Sequence, residues 1–174
     1  TRREAASQVV EKKLGQMLVR NPMRMDYYKK YQEIIADYNR EKDRVTVEET
    51  FARLVDLAKS LDAEERRAAE EGLSEDELAL FDLLFNKNIS KTDRERLKQA
   101  SKALLESLRE LLRPMHDWTQ NIATQAEVRV FILDNLWEAL PRPPFSEEET
   151  EAVANRVYEY VWQRSESGHD LLAA

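Results

Sequence analysis

The sequence predicts an all-α protein, an irregular multi-helix bundle of about eight helices. Only three glycines and five prolines occur in 174 residues, and 35% of the residues are charged, a composition typical of long helices with short connections. Six helix starts are marked by a capping residue with Glu or Gln three places later, whose side chains satisfy unpaired first-turn N–H groups. The pairs are Thr46 with Glu49, Asp62 with Glu65, Ser74 with Glu77, Thr92 with Glu95, Asp117 with Gln120, and Ser146 with Glu149.

Hydrophobic periodicity and these capping pairs together order the helices along the chain. Apolar residues recur every three or four positions in most segments, which is the spacing of one helix face. In chain order, the predicted helices end at about Arg20, cover about Asp26 to Asn39, begin after Thr46, Asp62, Ser74 and Thr92, cover about Trp118 to Leu140, and cover about Glu147 to Arg164.

The predicted helix from Trp118 to Leu140 is apolar over an unusually wide surface. One side is expected to face inward, while other apolar residues lie elsewhere on the helix, so we expect a central helix contacted from several directions. The following residues, Pro141 to Pro144, remove backbone donors and force an extended connection. The side expected to face inward carries Trp118, Ile122, Ala126, Val130, Leu133, Leu136, Trp137 and Leu140, and the apolar residues elsewhere are Val128, Phe131 and Ile132.

The length fits one domain, which we place at residues 1–164. Residues 165–174 contain Gly168 and no periodic apolar face, so we expect a flexible tail there. The chain begins without Met and enters helical sequence directly, which suggests a piece of a longer polypeptide. No apolar run approaches the length of a membrane span, so we expect a soluble, cytoplasmic protein that contacts no membrane.

Several kinds of catalytic chemistry lack their residues. There is no cysteine, and the three glycines lie too far apart for a phosphate-binding loop. The two histidines, His116 and His169, are too few for common zinc sites, and Glu166 with His169 is a single copy of a spacing that di-iron bundles use twice. We therefore predict no catalytic, cofactor-binding or metal-binding residue in this chain.

The net charge of −7 argues against a domain whose main task is to bind nucleic-acid phosphates. Residues 1–44 nevertheless carry 11 basic and 7 acidic residues, and tyrosines alternate with basic residues between Arg20 and Lys42. Such a segment can bind single strands by stacking. The helical spacing of the tyrosines favours a buried stripe instead. That stripe comprises Tyr27, Tyr31, Ile34, Ile35 and Tyr38.

Ordered blocks of sequence along residues 11 to 162 resemble the C-terminal helical region of the motor and endonuclease (R) subunit of type I restriction enzymes. The blocks are Lys13 to Met17, Arg20 to Tyr27, Ile34 to Asn39, Leu54 to Leu57, Glu71 to Leu84, Asp117-Trp118, Val128 to Val130 and Leu140-Pro141. The resemblance implies a parent with a nuclease domain and two ATPase domains. The parent is expected to use ATP and magnesium, but neither ATP nor magnesium is expected to bind to this chain. It also implies assembly with the methyltransferase (M) and specificity (S) subunits, with the rest of its own R subunit, and with DNA through the parent complex.

Two functions from different classes stay open at this point. The first is a non-catalytic assembly domain that docks the motor onto the methyltransferase core, and the second is an accessory DNA-contacting surface of the translocase. The block from Arg20 to Asp26 is either a capped helix break or a docking surface in which Arg20 and Arg24 meet acidic groups. The candidate partner contacts are Arg20, Arg24, Asp26, Tyr158 and Trp162.

Overall fold

The computed structural model describes residues 1–41, 46–169 and 171, and 83% of these described residues are helical. Within these residues there are seven α-helices and two short 3-10 helices, at Pro22–Arg24 and Trp118–Gln120, and no strand. The all-α prediction is confirmed, and the number of helices is close to the eight expected. The α-helices are α1 Arg2–Arg20, α2 Met25–Arg40, α3 Val47–Glu71, α4 Glu75–Leu84, α5 Lys91–Leu112, α6 Ile122–Ala139 and α7 Glu147–Glu166.

The chain divides into two compact units, unit 1 over Thr1–Gly72 and unit 2 over Leu73–Ala174. The presence of two compact units does not test whether residues 1–164 fold as one domain. The single domain therefore stays a prediction. The predicted flexible tail also stays a prediction, and its residues 170 and 172–174 lie outside the described part of the chain. None of the helices described in either unit is both long enough and apolar enough to cross a membrane.

Unit 1 is a packing of α1 and α2 on the long helix α3. The predicted tyrosine stripe lies in this packing: Tyr31 and Ile34 are buried, and the phenol of Tyr31 shares a 2.7 Å hydrogen bond with the Ser7 hydroxyl. Tyr27, Ile35 and Tyr38 are half-buried, so the stripe faces the core as predicted. Lys42, the last residue of the basic and aromatic segment, lies outside the described residues. The buried residues of this core are Val10, Leu14, Met17, Tyr31, Ile34, Leu54, Leu57 and Leu61.

Three of the six predicted capping pairs form complete capping boxes, in which the cap and the third helical residue each bond the other's backbone. They begin α3 at Thr46, α4 at Ser74 and α7 at Ser146. The pair at Asp62 was wrong, because α3 continues through this position and the Lys13 ammonium binds both Asp62 and Glu65.

The other two pairs also differ from the prediction. The prediction at Thr92 misplaced a helix start by two residues, because Ser90 caps α5 by accepting a hydrogen bond from the Asp93 amide. Asp117 precedes only the second 3-10 helix and makes no side-chain capping bond; Asn121 caps α6 instead. These pairs show that local capping chemistry alone does not place a helix start.

Unit 2 is built on the packing of α4 against α5 and α7, with α6 against α5 and α7. A buried carboxylate, Asp76, lies among these helices and binds Arg164 at 2.9 Å and Arg109 at 3.5 Å. The same two guanidinium groups donate to backbone carbonyls beyond α7, Arg164 to His169 and Arg109 to Leu171. Leu171 is buried, so the described residues that follow α7 are bound to unit 2.

The buried face of α6 is only partly the one that the sequence predicted, since Leu136 is buried as expected. Val128 and Ile132, expected to lie elsewhere on the helix, are fully buried, and Leu136 is buried with them. Ile122 and Val130, expected to face inward, are 82% and 56% exposed. Since α6 is apolar on both sides, hydrophobic periodicity alone could not decide which side meets α7.

Gly72 ends α3 in the left-handed conformation, with φ of 71°, and its amide caps the carbonyls of Ala68 and Ala69. Replacing Gly72 with Ala is expected to lower the free energy of unfolding by about 1 kcal/mol, because a Cβ is disfavoured at positive φ. Chemical denaturation of both proteins would measure the difference. Gly15→Ala is the matched control, since Gly15 lies within α1 with open space around it. It should not destabilise the protein, and an equal loss in both variants would contradict the explanation.

Candidate protein docking surface

The block from Arg20 to Asp26 is a capped break between α1 and α2. Asn21 is fully buried, and its side-chain oxygen accepts a 3.1 Å hydrogen bond from the Met23 amide at the start of the 3-10 helix. Pro22 occupies the first position of this short helix, where a missing N–H costs nothing. The geometry thus has the features of the capped helix break that the sequence allowed.

Arg24 lies inside unit 1 rather than on its surface, with 3% of its area exposed. Its Nε donates to the Glu64 carboxylate at 3.1 Å, and Arg67 binds the same carboxylate at 2.9 Å. The Tyr27 hydroxyl donates to Glu64 as well, at 3.4 Å. Burial raises the pKa of Glu64, but hydrogen bonds from Arg67 and Arg24 outweigh it and hold the pKa below its ordinary value. The Arg24 guanidinium is therefore committed to an internal ion pair.

The two other candidates in this block are on the surface. Arg20 ends α1 and Asp26 lies in the first turn of α2, and both are exposed. Asp26 is 4.0 Å from the ammonium of Lys29, with both side chains well exposed. Such a pair contributes little to stability, so Asp26 stays available as a contact residue.

The remaining two candidates, Tyr158 and Trp162, meet in an aromatic cluster of unit 2 together with Trp118. The Trp118 ring lies edge-on to Tyr158 and Trp162, with centroids 5.9 and 5.6 Å away. Its indole N–H donates to the Ser165 hydroxyl at 3.0 Å. Tyr158 is buried, whereas Trp162 is half-buried. Trp162 is thus the ring of this cluster that presents most surface to a partner.

A cleft of about 310 Å³ opens between α6 and α7 beside this cluster. The Arg129 guanidinium lies 4.0 Å above the Tyr158 ring, where the face of the ring attracts a cation. Aromatic and arginine side chains in such surroundings are the residue types that dominate binding energy at protein interfaces. The cleft is lined by Gln125, Arg129, Tyr158, Glu159, Trp162 and Gln163.

The exposed apolar side of α6 continues this surface. We call it the α6 outer face and define it as Ile122, Ala126, Val130, Leu133 and Trp137, which follow one another at three or four residues. Ile122 and Val130 are largely exposed, Ala126 is exposed, and Leu133 and Trp137 are half-buried. The Arg142 guanidinium lies 3.7 Å above the Trp137 ring at one end. The α6 outer face and the cleft form one candidate docking surface on unit 2.

Sequence reasoning found part of this surface. Tyr158 and Trp162 are the predicted contacts, and Trp118 is buried as predicted. The α6 outer face, however, was expected to point inward. The apolar width of α6 was the available signal, because a helix apolar on nearly all sides must be covered on nearly all sides.

Side chains that hold metal ions do not gather anywhere in the described residues. No group of three or more His, Cys, Asp or Glu side chains is placed there to hold a metal ion. Some of the abundant carboxylates lie in first helical turns, as Glu147 and Glu148 do in α7, and others pair with basic residues.

Comparison with known proteins decides the family. The model of the family described as "Type I restriction enzyme HindI endonuclease subunit-like, C-terminal" matches residues 1–163. The chain belongs to this family. This C-terminal domain of a type I restriction endonuclease subunit is thus the region that the sequence blocks resembled.

A relative from Methanocaldococcus jannaschii, described as an endonuclease subunit of the type I restriction enzyme MjaIXP, is 31% identical over 118 residues. The match covers 64% of this chain and 11% of the relative. The type I endonuclease C-terminal domain is therefore a small part of the subunit described in that relative. No solved structure matches the chain.

Proposed function

We propose that this domain is a non-catalytic assembly module that docks the translocating endonuclease subunit onto the methyltransferase core of M and S subunits. The observation that carries the proposal is the exposed α6 outer face next to the half-buried Trp162. A type I restriction endonuclease subunit works within a multi-subunit complex, so such a face has partners to meet. The ATP and magnesium of the parent would bind in other parts of the subunit, and the complex would act on DNA in the cytoplasm.

The physical features of the surface suit a protein partner. A stable interface usually buries about 1,200 to 2,000 Å² in total, with a few aromatic or apolar anchors inside a polar rim. Trp162 and Val130 supply such anchors, and Gln125 and Glu159 lie at the polar rim. Large exposed apolar residues in one contiguous stripe are uncommon unless something covers them.

The alternative, an accessory DNA-contacting surface, has weaker support. Unit 1 carries 15 basic and 15 acidic residues, so it has no surplus of positive charge for phosphate. Basic side chains of unit 1 pair internally: Arg24 and Arg67 with Glu64, and Arg40 and Arg53 with Asp37. Salt dependence discriminates between the two functions, because phosphate binding weakens steeply with salt whereas an apolar interface changes little.

Removing the domain is the first test. A full-length endonuclease subunit lacking residues 1–174 of this chain should fail to assemble with the methyltransferase core while its ATPase domains stay folded. Size-exclusion chromatography with light scattering measures assembly, and nucleotide binding reports the ATPase fold. Normal assembly of the truncated subunit would refute the docking role.

Polar substitution on the α6 outer face is the second test. Ile122→Asn with Val130→Asn should weaken binding to the methyltransferase core by roughly tenfold or more, since both lost anchors are exposed apolar groups. Val19→Asn with Val47→Asn is the matched control, because these exposed valines lie in unit 1. Equal losses for the two pairs, measured by surface plasmon resonance, would move the docking site away from α6.

A further inference from the structure

We infer that the α6 outer face receives an amphipathic helix of the partner that carries lysine or arginine along one edge. This inference rests on the proposed docking function and adds the chemistry of the segment that is docked. The α6 outer face runs from Ile122 to Trp137, about four helical turns, or roughly 22 Å at 1.5 Å per residue. A straight apolar stripe of that length suits one helix laid along it, held by residues at three- and four-residue spacing.

The charge beside the stripe selects the kind of helix. Glu127, Asp134 and Glu138 are exposed on α6. Glu127 lies three residues before Val130, and Asp134 lies four residues after it, so both are neighbours of Val130 on the helix surface. Glu138 continues this acidic edge one turn beyond Asp134. No ion pair is formed by these three carboxylates within the described residues, so they are available to cations from outside.

The opposite edge of the stripe is occupied differently. Arg129, which lies one residue before Val130 and on the cleft side, is stacked on Tyr158. The stripe is therefore acidic along one side and carries the exposed Arg129 guanidinium over the Tyr158 ring along the other. A docked helix would bury its apolar residues on Ile122, Ala126 and Val130 and extend its cationic side chains towards Asp134 and Glu138, which fixes its orientation.

The same charges disfavour the other occupants. A nucleic acid would place phosphates against the acidic edge, which costs energy instead of releasing counterions. A second copy packed antiparallel would bring two acidic edges together, and unit 2, with 12 basic and 19 acidic residues, accounts for the whole net charge of −7. A cationic amphipathic helix is the occupant whose charge complements the surface.

The inference is tested by reversing charge on the acidic edge in the full-length subunit. Asp134→Lys with Glu138→Lys should weaken binding to the methyltransferase core by about tenfold at low salt, and less at high salt, where the charges are screened. The matched control is Glu106→Lys with Glu110→Lys on α5, which makes the same change in net charge at two exposed positions. This control should change the affinity by less than about threefold.

A direct probe avoids dependence on the partner's identity. A fluorescent 18-residue peptide of leucine and lysine with helical spacing should bind the 174-residue chain, as measured by anisotropy, and an equivalent of leucine and glutamate should not. The charge reversal on α6 should weaken binding of the cationic peptide by about tenfold, and the α5 control should not. Denaturation followed by tryptophan fluorescence would verify that both variants fold.

Each failure has a distinct signature. If removal of the domain abolishes assembly while the α6 charge reversal changes neither assembly nor peptide binding, the cationic-helix inference is wrong and the docking function stands. If the truncated subunit assembles normally, the docking function is wrong. If the cationic peptide binds equally well to the α6 charge-reversed variant and to the α5 control variant, the cationic-helix inference is wrong as well. Tighter binding of the leucine and glutamate peptide would also overturn it.

Discussion

Replacing Asp76 with Asn is expected to lower the free energy of unfolding of unit 2 by about 3 to 5 kcal/mol. The carboxylate is 4% exposed and binds Arg164 and Arg109, so its loss leaves two guanidinium groups without a counter-charge. Burial lowers the pKa of Arg164, but the hydrogen bond to Asp76 outweighs it and raises the pKa above its ordinary value. A guanidinium stays protonated at neutral pH even without a carboxylate beside it, so Arg164 remains charged in the variant and bears the penalty.

Urea denaturation followed by tryptophan fluorescence measures this change selectively, because all three tryptophans lie in unit 2. Glu106→Gln is a suitable control, since Glu106 is exposed on α5 and its substitution should change stability by less than about 0.5 kcal/mol. If Asp76→Asn unfolded at the same urea concentration as the unmodified chain, the buried pair would contribute nothing net to unit 2.

Replacing Glu64 with Gln should have a comparable effect on unit 1, a loss of about 3 kcal/mol or more. Arg24 is at least as deeply buried as Glu64, and it would keep its charge in that buried position after losing the Glu64 carboxylate. Hydrogen exchange measured by mass spectrometry on peptides of α1, α2 and α3 reports unit 1 alone. Glu65→Gln, one position away and half-exposed, is the matched control and should have a much smaller effect.

The Glu64 contribution also has a defined pH dependence. Its pKa is held below its ordinary value of 4.5 in the folded protein, so its stabilising contribution is present above pH 4.5. The contribution is lost as the pH falls through the lower folded pKa. The stabilities of the unmodified chain and Glu64→Gln should therefore differ at pH 7 and converge in acid. A constant difference down to pH 2 would contradict this assignment.

The fold class could be predicted because its signals are local. Thr46, Ser74 and Ser146 begin helices through side chains that bond their own backbone neighbourhood, and no distant residue is needed. Asp62 has the same local pattern but lies in mid-helix, where Lys13, 49 residues away along the chain, binds it. A local pattern does not contain such distant partners, so it could not distinguish a cap from an ion pair.

The candidate surface was less predictable for the same reason. Arg24 was proposed as a contact because its charge stands beside a helix break, and only the position of Glu64, 40 residues later, places it inside. On α6, both sides are apolar, and the packing of α7 decides which side is buried. Trp162 was identified correctly as a residue outside the inward stripes, since it is half-buried. Its role as a contact stays a prediction.

The sequence separation of the two buried charge networks has a consequence for biosynthesis. In unit 1, Arg24 and Glu64 are 40 residues apart, whereas in unit 2 Asp76 is 88 residues from Arg164. Because chains emerge from the ribosome with their N-terminal segments first, unit 1 can close its network while α7 is still being translated. Asp76, by contrast, is synthesised well before Arg164 and lacks this partner until α7 has been translated. The segment from α4 to α6 therefore cannot complete its buried charge network before α7 is translated.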